Sequence, residues 1–244
     1  MQPELKPVRT DDQSFGRGSS YEPVEDVAYS TAGSQKVLRN TYLLLALTMV
    51  PTVIGAYIGM ATSSIIMASP IISSLVMLGA VIGLQFGIAH YRNSALGIGL
   101  LLLMTGLLGW WLGPILNVAL AMKNGMGLVG YAAVGTGVIF FAMAALSQTI
   151  KRDLAFMGKF LFVGMIALLV AMIANMFLQI PALALTISTL VIVVFSLFLL
   201  YDLQRIIRGG ETNYVMATTG VYISLLNIFT SLLQLLMALS GERD

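Results

Sequence analysis

The sequence predicts an all-α integral membrane protein, a bundle of seven transmembrane helices, and three observations predict it. The 244 residues are 58% hydrophobic and only 10% charged, whereas soluble domains are about a quarter charged. Beyond residue 40 the apolar residues fall into seven runs, each near the roughly 20 helical residues that cross a hydrocarbon layer about 30 Å thick. These runs are continuously apolar rather than alternating, which excludes a β-barrel. The third observation is the placement of the basic residues, which collect in every second connection.

Residues 1–35 mix Pro, Ser, Gly, Asp and Glu with few large aliphatics and are expected to form a disordered cytoplasmic tail. They hold no short apolar core with a small-residue cleavage site, so a removable signal peptide is not expected. The membrane domain is expected over 36–244, with spans at 41–61, 70–91, 95–121, 128–149, 156–178, 182–202 and 214–239.

In the first span Gly55 and Gly59, and in the second Gly79, Gly83 and Gly87, stand four residues apart, a spacing that lets helix backbones approach closely in lipid. Internal packing is the expected use of both stripes. The one histidine, His90, closes the second span beside Tyr91 and Arg92 and is read as structural. The third run is too long for one straight span, and Gly113-Pro114 should kink it, because proline removes a backbone donor and clashes with the turn before it. Trp110 and Trp111 suit a membrane interface. The sixth span ends at Asp202, followed by Gln204, Arg205 and Arg208. The plain reading of Asp202 is an ion pair with Arg205 or Arg208 at the helix end; turned into the bundle, it would be a proton-sensitive group in an ion path. In the seventh span Ser224, Asn227, Ser231 and Gln234 share one helical face. That face should avoid lipid and place the last helix at the bundle centre, through interhelical hydrogen bonds in the plain reading and as a lined polar path in the sharper one.

Lys6, Arg9, Arg17, Lys36, Arg39, Arg92, Lys151, Arg152, Lys159, Arg205 and Arg208 fall on one side of this topology, and only Lys123 and Arg243 on the other. Eleven against two places the N-terminus in the cytoplasm and, after seven crossings, the C-terminus outside.

The net charge of +2 is small and its cations scattered, so nucleic-acid binding is excluded. Without cysteine there are no disulfides, iron–sulfur clusters or thiolate metal sites. One histidine and no cysteine cannot build a zinc centre, no Gly-x-Ser-x-Gly elbow is present, and no pair of acids lies deep in the spans. No catalytic, cofactor-binding or metal role is expected.

Lys36-Val-Leu-Arg-Asn-Thr-Tyr42, Gly113-Pro-Ile-Leu-Asn117, Ala174-Asn-Met-Phe-Leu-Gln179 with Pro181, Gly209-Gly-Glu-Thr-Asn-Tyr214 and Tyr222-Ile-Ser-Leu-Leu-Asn-Ile-Phe229 together resemble the transmembrane Bax inhibitor motif family, and more narrowly its bacterial YccA-like branch. The resemblance runs from about Ser34 to the C-terminus. It implies the family's seven-helix fold with the last helix central, an inner-membrane location, and a regulator that binds and restrains the ATP-dependent membrane protease FtsH while being itself a slow substrate. A processive protease needs a free end to engage, and the polar tail offers one. The alternative implied by other family members is a pH-sensitive calcium or proton leak with an acid on each of the last two helices. Tyr201-Asp-Leu-Gln-Arg-Ile206 fits the first, so Asp202 is carried over as that acid. The second falls at Ser224, which brings neither the charge nor the repulsion of a paired carboxylate, so the acidic pair is incomplete. Membrane lipid is the other expected partner; nothing in the sequence sets the oligomeric state.

Overall fold

The structure, a computed structural model, describes residues 24–152 and 154–241, with side chains from residue 33 onward except at 155. Among the described residues nine helices follow in order, α1 Val24–Ala61, α2 Ser63–Met67, α3 Pro70–His90, α4 Ala95–Trp111, α5 Gly113–Ala121, α6 Gly125–Thr149, α7 Ala155–Leu178, α8 Pro181–Ile207 and α9 Tyr214–Gly241. With α4 and α5 counted as one broken span, seven are long and apolar enough to cross a membrane. The protein is a multi-pass transmembrane bundle.

Helix breaks coincide with residues that demand them. Leu112 carries the backbone from α4 into α5, with Pro114 in the first turn of α5, where a missing N–H costs nothing. Between α7 and α8 Gln179 adopts a left-handed conformation, φ 53°, the side-chain carbonyl of Asn175 accepts the Ile180 N–H at 3.1 Å, and Pro181 opens α8. Gly209 stands at φ 74° just beyond α8, a conformation that glycine adopts without strain.

The expected bounds change at two places. The tail was expected through residue 35, but α1 begins at Val24. No Pro or Gly interrupts residues 24–32, and a helix already started on the membrane side extends at little cost through such a stretch. Residues 1–23 of the expected tail, and Arg243 with its neighbours, lie outside the described residues. At the other place, α8 continues to Ile207 rather than stopping at 202. Leu203 and Ile206 are fully buried, and that burial carries the helix past the charged residues beside them.

α9 is the centre. It packs along α8, α6 and α1 and also touches α3 and α4. Val215, Val221, Tyr222, Ile228 and Leu233 are almost wholly enclosed. The Tyr222 hydroxyl lies 2.8 Å from Thr52 Oγ1 of α1 and 3.3 Å from the Thr105 carbonyl oxygen of α4, tying three helices at one point. The outer faces carry Leu43, Val53, Phe86, Phe141 and Phe160 largely exposed, a surface suited to hydrocarbon and not to water. Threonines within the helices return their hydroxyls to the carbonyl one turn back, as Thr136 does to Ala132 at 2.7 Å, so few polar hydrogens are left facing lipid.

Candidate functional site

Two small-residue stripes were expected to pack, and the structure separates them. A side chain on Gly55, Gly59, Gly109 or Gly113 would run into backbone across the α1 crossing, at Gly106, Trp110, Thr52 and Gly59 respectively. Here α1 lies backbone to backbone on α4 and α5. Trp110 Nε1 donates to Thr62 at 2.8 Å and Asn117 Nδ2 to the Met60 carbonyl at 2.8 Å, locking the same crossing at one end of the bundle. The α3 stripe is different. Gly87 meets Leu100 of α4, but Gly79 and Gly83 have open space where a side chain would be. The packing of α3 on the cluster that holds Leu101 and Met104 of α4 runs through Val81, Leu84 and Ile88, so the packing role expected of Gly79 and Gly83 is corrected.

The opposite end holds a polar network. Gln204 of α8 is buried; its Nε2 donates to the carbonyls of Ile150 and Arg152 at 3.1 and 2.9 Å, and its Oε1 accepts the Leu154 N–H at 3.0 Å. This amide therefore holds the connection between α6 and α7. Arg208 donates to the carbonyls of Ile150 and Lys151. Arg205 pairs with Glu211 at 3.2 Å, Glu211 accepts the Asn213 N–H at 3.0 Å, and Asn213 Nδ2 reaches the Arg92 carbonyl at 2.9 Å. The Asn213 Oδ1 caps α9 by accepting the N–H groups of Val215 and Met216 at 3.0 and 3.1 Å.

Among the described residues Asp202 belongs to neither ion pair nor clamp. The expected pairing with Arg205 or Arg208 is corrected, since Arg205 is taken by Glu211 and Arg208 by backbone carbonyls. The cause is helical phase: with α8 running on to Ile207, Asp202 lies more than a turn inside the helix end. Its carboxylate rests against Gly220 of α9, where an added Cβ would lie 2.8 Å from Oδ2. It lines a cavity of about 200 Å³ together with Gln85 of α3, Thr219 of α9, Arg205 and Glu211. Gln85 was not singled out from the sequence, although it is the only amide in α3; an amide in mid-helix was the available signal. Ser224 is buried but does not line this cavity. Among the described residues no three acids or histidines converge as metal ligands would.

The remaining polar residues of α9 face elsewhere. Asn227, Thr230, Ser231 and Gln234 line a separate groove of about 690 Å³ beside Pro114, Trp111 and Ser188. Ser188 Oγ donates to Gln234 Oε1 at 2.7 Å. The stripe read from the sequence is thus divided, with Ser224 packed in the core and the rest on the groove.

A seven-span bundle wound around its last helix, with an acid of the sixth span set against that helix, is matched over residues 34–241 by the family model for the inhibitor of apoptosis-promoting Bax1. The chain belongs to that Bax inhibitor family. Its similarity to bacterial relatives is close to end to end: 42% identity to a membrane protein of Vibrio cholerae, covering 84% of this chain and 91% of the relative, and 41% to the Escherichia coli protein named modulator of FtsH protease YccA, covering 85% and 92%. A Neisseria meningitidis relative is 36% identical over 90% of this chain and 98% of its own length. The match to this family begins at Ser34, close to where the first membrane span begins at Gly33, so it covers the membrane domain.

Proposed function

We propose that this protein is an inner-membrane modulator that binds and restrains the FtsH membrane protease, and that it is itself a slow substrate engaged through its N-terminal tail. One observation carries the reading: 41% identity to the Escherichia coli modulator across 85% of this chain. The protein acts by binding rather than by bond chemistry. Its N-terminus lies in the cytoplasm and its C-terminus outside, the orientation favoured by eleven basic residues against two. Two physical features support the mechanism. Residues 1–23 are polar in composition, with few large aliphatics, the kind of terminal sequence that a processive protease engages. The backbone-to-backbone crossing of α1 on α4 and α5 then places the next segment to be pulled in the tightest contact of the bundle, which favours slippage over extraction.

The test is a pull-down of FtsH from detergent-solubilised membranes with the full chain and with residues 2–22 deleted, which leaves α1 whole. Retention by the full chain, with faster turnover of another FtsH substrate once this protein is removed, is the expected result. Absence of the protease from both samples overturns the proposal.

The acid-lined cavity favours a second reading, a calcium or proton leak through the Asp202 site, because the Asp202 carboxylate lines it with Gln85, Thr219 and Glu211 and makes no direct ion pair among the described residues, the Arg205 cation standing in the same lining. Liposomes holding the purified protein and a calcium- or pH-sensitive dye test it. Flux abolished by Asp202→Asn supports a leak; no flux at any pH removes it.

A further inference from the structure

Two outer helices leave a gap. α3 packs on α4, α2 and lightly on α9, while α7 packs on α8, and the groove of about 690 Å³ opens between them with α9 as its floor. Its lining comes from α2, the first half of α3, the α4–α5 junction, the last half of α7, the first half of α8 and the last half of α9, so it lies toward the end of the bundle opposite the clamps around Gln204 and Asn213.

The walls are apolar and the floor is not, and the polar atoms there are only partly used. Asn227 Nδ2 donates to the Ile223 carbonyl, which leaves its Oδ1 without a partner among the described residues. Gln234 Oε1 is engaged by Ser188, and its Nε2 has no partner among the described residues. Asn175 Oδ1 accepts from Ile180 and its Nδ2 has no partner among the described residues. The Ser231 hydroxyl, on a residue only 5% exposed, has no partner among the described residues. Asn175, Asn227 and Gln234 are open to the groove and Ser231 is enclosed beside them, so their spare donors and acceptors are placed to hydrogen-bond whatever fills it, where hydrocarbon alone offers no partner. No charged residue lines the groove, which disfavours a charged ligand.

We propose that this groove is a binding site for a neutral amphiphile whose uncharged hydrogen-bonding group meets Asn227, Ser231, Gln234 and Asn175 while its apolar body lies between α3 and α7. Size supports a small molecule over a protein helix. The groove is within the span of roughly 300–1,000 Å³ that small-ligand sites occupy, whereas ten residues of a helix about 10 Å across fill roughly 1,200 Å³. Trp111 lies in the lining and serves as a reporter.

The experiment uses the full chain in nanodiscs and follows tryptophan quenching by three probes with the same dibrominated chain: a monoacylglycerol, a lysophosphatidylcholine and a plain alkane. Saturable quenching by the monoacylglycerol, with a midpoint at least tenfold below those of the other two, is expected. Asn227→Leu and Gln234→Leu should each raise that midpoint at least tenfold with helical circular dichroism unchanged. Ala184→Phe, which fills the groove and removes no polar atom, should abolish saturation and decides the matter if a polar variant does not fold. Equal quenching by all three probes, or an unchanged midpoint in the folded variants, overturns the proposal.

Discussion

At Gly59 and Gly113 a single methyl group is more than the crossing of α1 with α4 and α5 can hold, because the atoms in its way are backbone and backbone cannot rotate aside. Gly59→Ala and Gly113→Ala should each cost about 1–3 kcal/mol, the usual range for overpacking a filled interface. Gly79→Ala and Gly83→Ala, which face open space, should remain within about 0.5 kcal/mol of the parent. Thermal unfolding of the four variants in one detergent checks both halves. Equal loss in the two pairs contradicts the placement. All four glycines sit in the same four-residue pattern, and the pattern says only that two backbones can approach, not which helix face has a partner. Asp202 repeats the point, for its neighbours in sequence implied an ion pair, and the rotation of α8 instead turned it toward Gly220.

Among the elements, the connection between α6 and α7 depends on a side chain from α8. Gln204 satisfies the carbonyls of Ile150 and Arg152 and the N–H of Leu154. Gln204→Ala leaves the Arg152 carbonyl and the Leu154 N–H to find water, while Arg208 still donates to the Ile150 carbonyl, and should lower stability by about 1–3 kcal/mol. It should also speed tryptic cleavage after Lys151 and Arg152 in vesicles that present this end outward, by several-fold over the parent. Cleavage at the parent rate would show that the amide does not hold the connection. The apolar lengths of the helices were legible in the sequence because hydrocarbon sets them, and the break at Gly113-Pro114 was legible because proline chemistry is local. The extension of α8 to Ile207 was not. It follows from burial of Leu203 and Ile206 against other helices, which no property of residues 203–207 alone displays.

For the whole molecule, the orientation rests on eleven basic residues against two. A phosphatase fused after Asp244 should be active, and a fluorescent protein at the same place dark, in a host that folds the former only outside the cytoplasm. The reverse pattern turns the bundle over and moves the Gln204 and Asn213 clamps to the outer face. The central position of the last helix was legible in outline, since Ser224, Asn227, Ser231 and Gln234 form a face that lipid would reject. The division of that face was not. Ser224 is packed in the core, while Asn227, Ser231 and Gln234 border the groove between α3 and α7.

The sequence by itself determined that the protein lives in a bilayer, how many times it crosses, where the third span breaks and which family it resembles, because each of these depends on the solvent or on local backbone chemistry. The tertiary structure alone decided which glycines touch, which cation Glu211 takes, where Asp202 points and that a groove with unmatched polar atoms opens beside α9. Those outcomes depend on the rotation of each helix about its own axis. Where lipid and neighbouring helices are about equally apolar, hydropathy leaves that rotation open, and only the simultaneous packing of all seven spans selects it.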